Sequence, residues 1–388
     1  MSQDLNNNQV AQREDVDVSV LEQVIDEQHK ANFFGFNPKA TIDQLFDILS
    51  EQEQEILRRR YALCEAEVAK RKTLKEIGDY YKLTRERIRQ IESRAIKKLK
   101  NRSDLKQVVA PFLNVVNQVL NEYGGVMEEN FLLNTLIDVS PSDSKDIKKV
   151  NLEKQAILFL IDKLIDETEK VAGDEYFMQG WRNKLSDLEN FKKILDSLHN
   201  FIESLGNPIH KDKLVSAFRE ASPEVKDLTE EVIHSALEIS SRVKSNPFGE
   251  WGFNDWKNIT PKRMGNKILM VMEKYGKPLH FNEVAELVDK YNFDKKKAHP
   301  ATVHNELILR PEFVLVGRGV YGLKKWGYKP GIVTDVITQV LRENGPMARE
   351  EIIDELLSQR MVKKGTVILA LSNKDKFKKI DDGRYVAI

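Results

Sequence analysis

Cysteine is nearly missing from this 388-residue chain, with Cys64 the only one. That excludes a disulfide framework and a cysteine-ligated zinc site, and it matches a reducing compartment, so a cytosolic location is expected. Long apolar runs are missing too. No stretch reaches the roughly 18 apolar residues of a spanning helix. Residues 1–8 are polar where a secretory signal would place a basic start and an apolar core. A Walker lysine motif, a G-x-S-x-G elbow and a metalloprotease helix are absent as well. No enzyme activity, cofactor, metal or small-molecule substrate is therefore expected. An excess of either charge is also lacking, since 61 Lys and Arg balance 61 Asp and Glu. Taken whole, that argues against nucleic-acid binding, because such domains carry surplus cations.

The length points to about two to four domains, and the charge is not spread evenly among them. Residues 1–69 carry 6 basic and 14 acidic side chains, net −8, and residues 70–106 carry 14 and 5, net +9. Residues 107–259 are net −9, 260–326 net +6 and 327–388 net +2. The neutral total is a cancellation that hides two basic blocks, each suited to an anionic partner.

The first basic block reads as two helices. Leu74, Ile77 and Tyr81 form a helical apolar stripe. After a short connection, Thr84 is placed as an N-cap, and Leu83 and Ile88 as a hydrophobic staple. The second helix is predicted from Arg85 to Lys100, with Ile88, Ile91, Ala95 and Leu99 on one face. Arg85, Glu86, Arg89 and Gln90 fall on another, roughly 145° away at 100° per residue. The first helix would pack on the apolar face and leave the polar, N-terminal end free, as a helix-turn-helix requires for entry into the major groove. Arg suits guanine, Gln adenine, and Glu accepts from cytosine. Farther along, Arg94, Lys97, Lys98 and Lys100 suit phosphates.

The string Thr84-Arg85-Glu86-Arg87-Ile88-Arg89-Gln90-Ile91-Glu92, with Thr73 to Gly78 before it, resembles region 4 of sigma-70-type bacterial sigma factors. The resemblance covers about residues 41–113. It implies a module that binds the promoter −35 element on double-stranded DNA and also docks on core RNA polymerase. It implies base contacts from Arg85, Glu86 and Gln90. It implies backbone contacts from Arg60, Thr84 and Arg87, to which Arg89, Arg94 and Lys97 are added as further backbone candidates. Two departures stand out: Gln52 replaces a residue that is often basic, and the stretch from Cys64 to Lys72 is longer than usual. Residues 1–40 read as an acidic, largely disordered tail with one weak helix from Val16 to Ile25. They are too short for the sigma regions that melt a promoter, so no standalone initiation factor is expected.

Beyond Arg102 a pattern recurs: a helix ending in a glycine turn, two further helical stripes, then a glycine-centred hairpin with an aromatic. The turn glycines are Gly124, Gly206, Gly276 and Gly345, and the hairpin glycines Gly173, Gly249, Gly319 and Gly383. This is the order of a winged helix, and the hairpin glycines supply the positive φ of tight turns. Units are expected at 107–181, 187–256, 260–326 and, in degenerate form, 328–388, after a helix-turn-helix domain at 41–106. The expected fold class is thus mainly α, a region 4-like helix-turn-helix followed by a tandem array of winged-helix units.

Gly276-Lys-Pro-Leu-His280, Ala301-Thr-Val-His304 and Phe313 to Gly322 resemble the HARE helix-turn-helix, found in the delta subunit of bacterial RNA polymerase and in chromatin regulators. There Lys295, Lys296, Lys297 and Arg318 are the candidates for a second nucleic-acid or partner surface. Gly317-Arg-Gly319-Val-Tyr-Gly322 fits a dinucleotide string, but a return strand follows it where a helix should open, so it is set aside. His299 and His304 do not share a helical face with carboxylates, so no metal is expected there. Trp181, Trp251, Trp256 and Trp326 are read as core anchors. The expected function is a sequence-specific transcription factor acting with RNA polymerase; the alternative is a polymerase-binding adapter.

Overall fold

A computed structural model describes residues 36–64, 70–140, 146–222, 225–360 and 362–388. The expected helix from Val16 to Ile25 lies outside them. The fold is mainly α: among the described residues there are sixteen α-helices and only small antiparallel sheets. The chain divides into two compact units, residues 1–204 with 212–244, and residues 205–211 with 245–388.

The first unit opens with α1 (Pro38–Phe46), α2 (Glu51–Tyr61), α3 (Leu74–Tyr81), α4 (Arg85–Lys100) and α5 (Leu105–Glu122). Caps written into the sequence set these starts. Ser50 and Glu53 close a capping box on α2, as Thr73 and Glu76 do on α3. Both predicted helices of the basic block are observed, the second with the predicted ends, Arg85 and Lys100. Within the segment read as a tail, Phe36 is buried and stacks on Phe112 with ring centroids 5.4 Å apart. Ordered packing therefore begins ahead of residue 40.

Next come β1 (Val126–Glu128), α6 (Glu129–Asp138), α7 (Ile147–Lys163), β2 (Thr168–Val171) and β3 (Gly180–Asn183), the strands pairing in the order β1-β3-β2. A single apolar core joins this set to the preceding helices. It contains Phe46, Leu57, Tyr61, Ala95 and Leu99 together with Val116, Ile157, Phe159 and Trp181. The two halves of α4 thus pack differently: Ile88 and Ile91 close on Ile56 and Ile77, and Ala95 and Leu99 enter the larger core.

The first hairpin departs from expectation. Gly173 does not take a positive φ, and residues 172–179 form a loop between β2 and β3 instead of a tight turn. That loop reaches the end of α10 (Glu230–Ile239), which follows α8 (Leu188–Leu205), β4 (Ile209–His210) and α9 (Lys211–Ala221). Phe177 bridges Ser240, and the Met178 amide donates to the Ile239 carbonyl at 2.7 Å. Tyr176 and Phe177 therefore act as a clasp, and Trp181 is the strand aromatic of this wing. Beyond its first residue, Glu230, no residue of α10 is exposed, and its Ser235 hydroxyl donates to the Val126 carbonyl of β1.

β5 (Val243–Ser245) follows α10. The second unit holds β6 (Glu250–Phe253), α11 (Met264–Tyr275), β7 (Leu279–His280), α12 (Phe281–Tyr291), α13 (Pro300–Leu309), β8 (Phe313–Gly317) and β9 (Val320–Leu323). It ends with α14 (Val333–Asn344), α15 (Arg349–Gln359), α16 (Lys364–Leu371), β10 (Phe377–Lys379) and β11 (Tyr385–Ala387). One register recurs in all four helix–hairpin sets: Met127 lies opposite Trp181, Ile209 opposite Trp251, Leu279 opposite Tyr321, and Met347 opposite Tyr385. A short strand after the turn glycine meets the aromatic of the last wing strand each time. Gly249, Gly319 and Gly383 have φ of 79°, 70° and 87°, as tight hairpins need. The glycine string at 317–322 forms the β8–β9 hairpin and opens no helix. Trp181 and Trp251 are buried anchors, and Trp256 and Trp326 are half-buried.

Candidate nucleic-acid interface

The turn between α3 and α4 is tight for a local reason. Lys82 ends α3 in the left-handed region with φ 53°, and the Leu83 amide donates to the Gly78 carbonyl at 2.9 Å. A Cβ on Gly78 would stand 2.6 Å from the Leu83 carbonyl oxygen, so glycine lets the two helices close up. Thr84 then caps α4, its hydroxyl accepting from the Arg87 amide at 3.2 Å. Leu83 packs with Ile77, Ile88 and Ile91, which fixes the angle at which α4 leaves the turn.

With that face buried, Arg85, Glu86, Arg87, Arg89, Gln90, Arg94 and Lys97 are all exposed, and Thr84 stands exposed at their N-terminal end. Arg89 donates to both Glu86 carboxylate oxygens, at 2.7 and 2.9 Å. That guanidinium holds the Glu86 carboxyl below its ordinary range. Arg87 donates to the Gln90 side-chain oxygen at 3.4 Å. The first two turns of α4 therefore present Arg, Glu and Gln in a partly ordered row, with Arg94 and Lys97 farther along. Such a surface can pair with base edges at one end and phosphates along its flank.

Arg60 stands apart from this row. Its Nε is buried 3.5 Å from Glu92, and an Nη donates to the Lys72 carbonyl at 3.0 Å. Glu92 also accepts from the Tyr61 hydroxyl at 2.7 Å, and burial pushes that phenol up. Arg60 is thus committed within the fold, tying α2 to α4. Sequence reading missed this because Glu92 looks like one more solvated carboxylate. It also missed two polar ties of the module, to α7 and to the turn before β2: Arg71 donates to Gln155 at 2.9 Å, and Lys100 meets Asp166 at 3.3 Å.

In the second unit, Lys295, Lys296 and Lys297 are exposed in the loop before α13, and Arg318 is exposed in the β8–β9 hairpin. Lys295 takes φ 59°, and the buried Lys267 pairs with neighbouring Asp294 at 2.7 Å, which pins the loop to α11. His304 packs on Phe281 with centroids 4.5 Å apart. No metal-binding cluster of His, Cys, Asp and Glu is found among the described residues, and no helix there is long and apolar enough to cross a membrane.

Residues 45–101 match the family model described as sigma-70, region 4. The RNA polymerase sigma factor SigA of Lactococcus lactis subsp. cremoris is 43% identical over 60 residues, covering 16% of this chain and 16% of that one. The sigma factor RpoD of Helicobacter pylori is 48% identical over 63 residues, 16% of this chain and 9% of that one. The SigA of Listeria monocytogenes is 39% identical over 70 residues, 18% of each chain. The chain thus spans less than a fifth of the length of these curated relatives. No solved structure matches it. Residues 45–101, with the turn and the exposed row just described, are a sigma-70 region 4 helix-turn-helix.

Proposed function

We propose that this chain is a sequence-specific DNA-binding protein of transcription that reads a promoter −35-like element through α4. The observation that carries this reading is the exposed row Arg85, Glu86 and Gln90 on the first two turns of a capped helix whose opposite face is buried. In this reading Thr84, Arg87, Arg89, Arg94 and Lys97 hold phosphates, and Arg60 acts by fixing α2 against α4. RNA polymerase is the proposed partner, in initiation or its regulation, in a bacterial cytosol, with no catalytic activity. Residues 260–326 are proposed as a HARE-type module, following winged units at 107–181 and 187–256 and preceding a degenerate one at 328–388.

A polymerase-binding adapter is the second reading, and it concerns the winged units. The helices in the DNA-reading position of the first two, α7 and α10, are largely spent on internal packing: Phe159 of α7 lies against Tyr61, and Ile233, Ser235, Ala236, Leu237 and Ile239 of α10 are buried. A gel shift on −35-like and scrambled duplexes tests the first reading. Arg85→Ala and Gln90→Ala each lose roughly tenfold or more on the preferred duplex only, the range of a bidentate base contact. Equal binding to both duplexes by the unsubstituted protein contradicts it.

A further inference from the structure

Each winged unit presents a third helix, and in the first unit of the molecule both such helices bury their apolar residues against protein, apart from Ile147 at the start of α7. α13 is different. Ala301, Thr302, Asn305, Ile308 and Leu309 are all exposed, and at helical spacing they form one stripe roughly 120° wide. That stripe carries no charge. Ile308 is 60% and Leu309 77% exposed, which is costly surface for a monomer to leave in water.

Leu309 also forms the edge of a cleft of about 630 Å³. Lys257, Lys262, Arg263 and Arg310 line the cleft against only two carboxylates, Asp255 and Glu306. Arg310 is engaged by Glu312 at 2.7 Å and by Asn266 at 3.0 Å. Lys257, Lys262 and Arg263 are exposed, and among the described residues no carboxylate is recorded as pairing with them. An apolar ledge thus runs into a cationic cleft.

We propose that this ledge and cleft dock an acidic amphipathic segment of a partner protein. Its apolar residues would cover Ile308 and Leu309, and its carboxylates would meet Lys257, Lys262 and Arg263. Duplex DNA fits the surface poorly, because phosphates gain nothing from Ile308 and Leu309 and the exposed stripe of α13 holds no cation to neutralise them. In α4, the helix read as DNA-binding, seven cations are exposed, Arg85, Arg87, Arg89, Arg94, Lys97, Lys98 and Lys100. The precedent in this chain is α10, whose Ile233, Ser235, Ala236, Leu237 and Ile239 are buried against protein. The inference is independent of how α4 is read.

The test is selection of a displayed random peptide library on the full chain at near-physiological salt. Recovered peptides are expected to carry Asp and Glu among apolar residues spaced by three or four. The double variant Ile308→Glu, Leu309→Glu, checked for fold by circular dichroism, should weaken them by about tenfold or more, as loss of a central anchor does. Arg85→Ala with Gln90→Ala should leave them unchanged. Peptides without acidic excess, peptides that bind the double variant equally well, or no recovered peptides would overturn the proposal. So would a double variant that loses duplex binding, which would make α13 a nucleic-acid surface.

Discussion

Arg89 grips Glu86 by both carboxylate oxygens, one turn from the start of α4. The pair sits in the exposed row, so a carboxylate, neutralised by Arg89, stands where DNA would approach in the proposed reading. In the proposed reading Glu86 costs affinity and confers selectivity, since a carboxylate is tolerated only where a base amino group meets it. Glu86→Ala is expected to raise binding to mixed-sequence duplex and narrow the gap between preferred and scrambled sites. Arg89→Ala, which leaves that carboxylate unneutralised, should weaken binding to every sequence. Fluorescence anisotropy on the two duplexes reads both effects.

Lys97 lies three turns into α4, beyond reach of the bases in this reading. Lys97→Ala should weaken all duplexes alike and flatten the plot of log affinity against log salt by under about one unit, the share of one phosphate contact. A sequence-dependent loss would move Lys97 into the base-reading set.

Gly78 is a packing position. Gly78→Ala places a Cβ against the Leu83 carbonyl oxygen, which must shift and take the start of α4 with it. Loss of about 1–3 kcal/mol of stability is expected, as for other overpacked sites, with DNA binding weakened beyond that loss. Urea unfolding together with the anisotropy assay checks this.

What could be read from the sequence was local. Thr73, Thr84 and the stripe from Ile88 to Leu99 place α3 and α4 because caps and helical spacing act within a few residues. The turn glycines precede the short first strand of each helix–hairpin set for the same reason. The tie from Arg60 to Glu92 was not legible because Glu92 lies in another helix, and nothing near Arg60 in the chain announces it. The Tyr176–Phe177 pair looked like a wing aromatic, but its partners are Ser240 and Ser241 at the end of α10. The burial of Ile233, Ser235 and Ala236 in α10 was likewise not legible from the sequence. Each of these contacts spans tens of residues and is set by tertiary packing, which periodicity does not encode.

His199 gives the fold a pH dependence of known sign. Burial, assisted by the charge of Arg242, pushes it down to about 4 from an ordinary 6.5, and its Nε2 lies 2.8 Å from the Ser240 hydroxyl. Between those values the unfolded chain takes up a proton that the folded chain does not. Stability is therefore fully present above pH 6.5 and falls as pH drops toward 4, by about 3 kcal/mol over the window. Urea midpoints at neutral and mildly acidic pH should show the fall, and His199→Gln should reduce it.

The central claim is that α4 reads DNA sequence. Selection of bound duplexes from a random pool by the full chain, with and without core RNA polymerase, tests it most directly. The account predicts recovery of one −35-like motif that disappears when Arg85 and Gln90 are replaced by alanine. A recovered pool no different from the input, or a motif indifferent to both substitutions, would contradict it.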